Sequence, residues 1–90
     1  AGMPLRRDAA VHAAVIVLGK KTAQRMTGDA AVLSKVEDCS EIQPEYRQAC
    51  AFAAANGMMP VQGRFYPEKT ITRAELLDLL EKVLQLAGEL

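Results

Sequence analysis

The sequence has no tryptophan, a single histidine, two cysteines and no net charge, its eleven basic side chains balancing eleven acidic ones over 90 residues. Balanced charge leaves no global field to draw in nucleic acid or an anionic membrane, so any anion recognition must be local. The stretch from Gly57 to Thr72 is also too long for the short turn of a helix-turn-helix reader, and no nucleic-acid partner is expected. No apolar run approaches the roughly 20 residues that span a bilayer. Ala9 to Leu18 is apolar but short, and it reads as a core helix. The sequence does not open on a signal-peptide pattern, so export would be directed from outside it. Cys39 and Cys50 are candidates for a disulfide, which would suit a small exported domain; buried free thiols are the alternative. With only His12 as a third soft ligand, no metal set emerges. No nucleophile with a base and no phosphate-binding glycine loop emerges either, so neither enzyme activity nor a cofactor is expected.

Ninety residues make one small domain, burying roughly 60–65 % of the surface its unfolded chain exposes. Helix signals run throughout. The first helix is expected from about Arg6 to Leu18, begun near Pro4, stopped at Gly19 and presenting Ala9, Ala10, Ala13, Ile16 and Val17 as its apolar face. Lys20 to Met26 extends as polar helical turns, and Thr27-Gly28-Asp29 breaks the pattern. Ala30 to Val36 fits a short helix or an irregular packed segment. Pro44 or Glu45 opens the next helix, with Ser40 and Gln43 as upstream caps, and Asn56-Gly57 closes it. Its Ala49, Cys50, Ala53 and Ala54 are small enough for close helix approach, while Tyr46 and Phe52 supply bulk. The last helix runs from Arg73 to about Leu86, with Leu76, Leu77, Leu79, Leu80, Val83, Leu84 and Leu86 covering more than one face. So wide a leucine face implies contact on two sides. The last helix also echoes the first. An offset of 67 residues lays Leu5-Arg6-Arg7-Asp8 over Thr72-Arg73-Ala74-Glu75, and a shift by one residue matches Arg7 to Arg73. His12 reads as a packing residue, and Met58 and Met59 read as core fillers.

The densest signal lies at Gly63-Arg64-Phe65-Tyr66-Pro67-Glu68-Lys69-Thr70-Ile71-Thr72-Arg73-Ala74-Glu75. Thr72 and Glu75 have the spacing of a capping box: the threonine hydroxyl accepts from the Glu75 amide and the carboxylate accepts from the Thr72 amide. Ile71 and Leu76 sit where a hydrophobic staple would set the angle of the chain. Arg73 falls on the first helical residue, beside free backbone amides, a setting that suits an anionic ligand.

A helix followed by Gly57-Met58-Met59, then Gly63-Arg64-Phe65-Tyr66-Pro67 and Ile71-Thr72-Arg73-Ala74-Glu75, resembles an S-layer homology repeat. The likeness covers about half of the chain well and extends back to Val36-Glu37-Asp38. It implies an all-α fold of helix-loop-helix repeats with three main helices and short helical segments: residues 1–19 as a partial repeat, 20–35 as a connector and 36–88 as a complete repeat. It further implies a noncovalent module that anchors an exported protein to a cell-envelope polysaccharide, often an acidic one carrying ketal-linked pyruvate, at the cell surface of a bacterium. Arg73 would then face the acidic substituent, Thr72 and Glu75 would set the helix end, and Lys69, Gly63, Asp38 and Tyr46 would complete the ligand-binding set. Arg6 and Arg7 would be the matching arginines of the partial repeat. Pro60-Val61-Gln62 is shorter than the family's usual loop, and Tyr46 or Glu45 stands nearest to its frequent tryptophan. Those departures support an alternative in which the same fold serves protein interaction or oligomerisation and the sugar site has decayed. Neighbouring repeats or further copies would then cover the exposed helices.

Overall fold

The computed structural model describes residues 4–23 and 28–88. Among them the chain is all-α, with helices α1 (Arg7–Thr22), α2 (Arg47–Ala55) and α3 (Arg73–Leu86). Short 3₁₀ turns at Ala30–Leu33, Cys39–Glu41 and Pro44–Tyr46 fill the connection before α2. No helix among the described residues is long and apolar enough to cross a membrane.

α1 packs against both α2 and α3, and it meets them with one stripe of its surface. Of the expected face Ala10 is buried, and the rest is corrected. Ala10, Val11, Ala14, Val15 and Leu18 are buried, whereas Ala13, Ile16 and Val17 are exposed. A run of alanine and valine is apolar all round and carries little phase information. α1 also continues through Gly19 to Thr22 and stops at Ala23, a residue in the left-handed region (φ 54°) whose amide donates to the Gly19 carbonyl. A mid-helix glycine costs only about 1 kcal/mol. Here Lys20 and Lys21 in the last turn suit the negative end of the helix, and the Thr22 hydroxyl donates to the Leu18 carbonyl at 2.9 Å. The polar turns expected as far as Met26 lie outside the described residues from Gln24 onward, as does Thr27.

The start of α1 has no side-chain cap. Its first amides are satisfied by the backbone of a distant loop: Arg7 N–H donates to the Lys69 carbonyl at 2.9 Å and Asp8 N–H to the Pro67 carbonyl at 3.2 Å. Ile71 N–H returns a bond to the Leu5 carbonyl at 2.8 Å. A buried helix end without acceptors would be costly, so this clasp holds the start of α1 beside the segment that leads into α3.

α2 opens through the Pro44–Tyr46 turn, with proline at its first position. Neither expected upstream cap acts through its side chain; Gln43 instead donates its amide to a carboxylate oxygen of Asp8 at 3.1 Å. The helix closes at Asn56-Gly57 as read from sequence. Gly57 is left-handed (φ 76°), Met58 N–H donates to the Ala53 carbonyl at 2.8 Å and Gly57 N–H to the Ala54 carbonyl at 3.4 Å, the bonding of a Schellman closure. The small residues of α2 do permit close approach. A Cβ on Gly28 would lie 2.4 Å from the Phe52 nitrogen, so the chain before Ala30–Leu33 runs directly against the α2 backbone.

α3 occupies the expected span, and both arms of its capping box are made: Glu75 N–H to the Thr72 hydroxyl at 3.1 Å, and Thr72 N–H to Glu75 Oε1 at 2.9 Å. Ile71 and Leu76 are both half-buried. Replacing Thr72 by alanine leaves the Glu75 amide without its partner at a helix start. Thr72→Ala is expected to lower stability by about 0.5–2 kcal/mol, read as a lower midpoint in paired urea-unfolding curves; an unchanged midpoint would mean that the hydroxyl does not cap.

Candidate functional site

Asp38 is the most heavily used carboxylate in the loops. It is buried, with 3 % of its surface exposed, and accepts from the Phe65 and Tyr66 amides at 2.8 Å each. Nearby, Glu37 N–H donates to the Gly63 carbonyl at 2.8 Å, and Val36 bridges Gly63. The loop that begins at Gly63 is thus sewn to the segment at Val36–Asp38, and Phe65 is carried into the core. Burial alone would raise the Asp38 pKa, but the bonds from Phe65 and Tyr66, with smaller help from its own amide and Arg64, outweigh it and hold the carboxyl below its ordinary range. Tyr66 has a left-handed backbone (φ 57°), a conformation that costs of order 1–3 kcal/mol for such a residue and that Asp38 helps to hold. Lys69 caps the same turn, its amide donating to the Tyr66 carbonyl at 3.1 Å and its ammonium lying 4.8 Å from the Tyr66 ring centre.

The residues expected to bind ligand therefore divide. Asp38 and Gly63 are internal ties, with the Asp38 carboxylate spent on the loop; this corrects Asp38 as a ligand contact. Thr72 and Glu75 are committed to each other, and Glu75 Oε2 also pairs with the Arg7 guanidinium. Lys69 rests on Tyr66. Tyr46 stands with another helix, its ring 4.8 Å from that of His12 on α1. Arg73 is exposed, makes no hydrogen bond or ion pair among the described residues, and lines neither of the two grooves described below.

Cys39 and Cys50 are free thiols, which corrects the bridge. Cys50 lies wholly inside the core on α2, and burial, with a smaller effect from Asp8, pushes its thiol up to about 12. It is a small apolar core residue rather than a reactive one.

Two residues near the start of α1 carry more than their sequence suggested. Asp8 is fully buried and accepts from Arg6 Nε and Nη2 at 3.0 Å each, in a bidentate pair, and from the Gln43 amide. Its principal loop partner lies 35 residues away, so no local pattern announces it. Arg7 crosses to α3. Its guanidinium carbon sits 5.4 Å from the Phe65 ring centre, and its Nε is buried with no acceptor among the described residues.

Arg7 stands in a groove of about 390 Å³. Val11, Met58, Met59, Phe65, Ile71 and Leu79 make its apolar lining, while Glu75, Asp78 and Lys82 bring charge. Lys82 is paired with Asp78 at 3.1 Å. A second groove, of about 470 Å³, runs between α1 and α2 past His12, Lys20 and Glu45. Among the described residues, no cluster of three or more His, Cys, Asp or Glu side chains could hold a metal ion.

Comparison with protein-family models, with curated proteins and with solved structures returns no match.

The Asp38 tether has a signed pH dependence. Its folded pKa is depressed, so its stabilisation is present above the ordinary carboxylate range and is lost as pH falls through the lowered folded value. Asp38→Asn turns an amide group toward backbone donors and is expected to cost about 1.5–3 kcal/mol at neutral pH. The gap between variant and wild type should close in acid. Urea unfolding of both proteins across that range checks it, and a gap independent of pH would remove the carboxylate from the account.

Proposed function

We propose that this chain is a helical interaction module built like an S-layer homology repeat, self-associating through the outer face of α3 at a bacterial cell surface. The observation that carries this reading is the state of that helix. Leu77 is 59 % exposed and Leu80 43 %, although α3 already packs against α1 and buries Leu79 and Val83 on a neighbouring face. Leu77, Leu80 and Leu84 follow a 3-4 spacing, the pattern of a seam between helices. Association would bury this face, and in sedimentation the wild-type chain should associate with rising concentration. Leu80→Glu should weaken association by at least about tenfold, a factor worth roughly 1.4 kcal/mol, with helix content unchanged. A wild-type chain that remains monomeric throughout would sink this reading.

Noncovalent anchoring to an acidic cell-envelope polysaccharide is the second reading, favoured by one observation: Arg73 is an exposed, unpaired guanidinium at a rigidly capped helix start. A charge-assisted contact there is worth about 1.5–3 kcal/mol. Under this reading the chain is retained by cell-wall sacculi, Arg73→Ala releases it and Arg73→Lys restores only part of the binding, because lysine lacks the planar fork. Equal retention after the secondary polymers have been stripped away, or equal retention of Arg73→Ala, counts against it.

A further inference from the structure

The outer face of α3 carries charge as well as leucine, and the charge restricts how a second copy can meet it. At the pitch of an α-helix, Arg73, Leu77, Leu80 and Leu84 fall within an arc of about 60°. Arg73 thus stands at the N-terminal end of the leucine stripe itself, exposed and without an ion pair among the described residues. The carboxylates of the helix are unequal. Glu75 is committed to Arg7 and Asp78 to Lys82, whereas Glu81, exposed and one turn before Leu84, meets only the Gln85 side-chain amide at 3.4 Å. Each copy therefore presents an uncommitted cation at the start of this face and a carboxylate without an ion pair in its second half. Parallel copies would set Arg73 beside Arg73 and align the two helix dipoles. Antiparallel copies set each Arg73 against the negative helix end and the Glu81 of the other.

We infer that two copies of this chain pair through antiparallel α3 helices, Arg73 of each reaching Glu81 of the other. The inference rests on the self-association proposed above and supplies its geometry. In this register Leu77 of one copy meets Leu80 of the other on both sides of a two-fold axis, and Leu84 lies against the aliphatic stem of Arg73. The contact is isologous, so both charge pairs form together and the assembly closes at two copies instead of growing into a filament. An Arg73 engaged in this way is not open to an acidic sugar, so pairing and glycan binding compete for one guanidinium.

Charge exchange followed by sedimentation equilibrium of the full chain tests the pairing. Arg73→Glu sets two carboxylates against each other at both ends of the seam and should weaken the dimer about tenfold; Glu81→Arg, which opposes two arginines, should do the same. The double variant Arg73→Glu/Glu81→Arg rebuilds both pairs with their signs reversed and should recover most of the affinity. In a parallel dimer each single change merely exchanges one like-charge pair for another, and the double variant rescues nothing. Both positions are exposed, and a glutamate at a helix start suits the dipole, so helix content should stay unchanged. A second measurement needs no variant. In a mixture of isotope-labelled and unlabelled wild-type chain, intermolecular NOEs should join the Arg73 side chain to the Leu84 methyl groups, which lie about 16 Å apart along one helix and meet only between antiparallel copies. A dimer indifferent to both single variants, a double variant no tighter than the singles, or absence of the Arg73 to Leu84 contact would overturn the antiparallel pairing and leave self-association standing. A wild-type chain that stays monomeric at every concentration removes both.

Discussion

Helix α1 begins inside the fold, and everything around it follows from where its first amides find acceptors. They find them on the loop between Phe65 and α3, through Pro67 and Lys69, and Leu5 receives the Ile71 amide in return. That loop is itself held at its other end by Asp38. A side-chain cap at Arg6 would have freed α1 from this arrangement; without one, helix and loop have to fold together. The Arg7 groove is a product of the same constraint, because the clasp sets α1 beside Ile71 and Glu75 and thereby makes a wall opposite Met58 and Met59.

Much of this architecture was legible where the signal is local. The capping box at Thr72 and Glu75, the left-handed Gly57 that ends α2 and the full span of α3 all depend on residues within a turn of one another, and each stands where spacing puts it. The first helix was harder. Gly19 reads as a stop, yet two lysines at the helix end and a threonine bonding back to Leu18 carry the helix past it. Its burial phase could not be read from alanine and valine, because apolar Ala13, Ile16 and Val17 also occupy its exposed side.

The candidate site was legible only in part, for a related reason. Spacing identified Arg73, and it is indeed free at a capped helix start. It could not reveal that Asp38 faces inward or that Tyr46 stands beside His12, since both depend on contacts between segments far apart in sequence. In the sequence Arg7 reads, with Arg6, as a matching arginine of a partial repeat, and Asp8 carries no signal of its own. One crosses to a different helix and the other is sealed beneath Arg6 and Gln43.

Glu75 carries a double duty with a thermodynamic consequence. One carboxylate oxygen closes the helix on Thr72 and the other restrains Arg7, so the rotamer that serves one partner is the rotamer that serves the other. Thr72 and Arg7 are therefore coupled although they belong to different ends of the chain: loosening either lets the shared side chain wander and weakens what remains. The cap of α3 and the wall of the groove thus behave as one cooperative unit, so a change at the helix start is felt at Arg7.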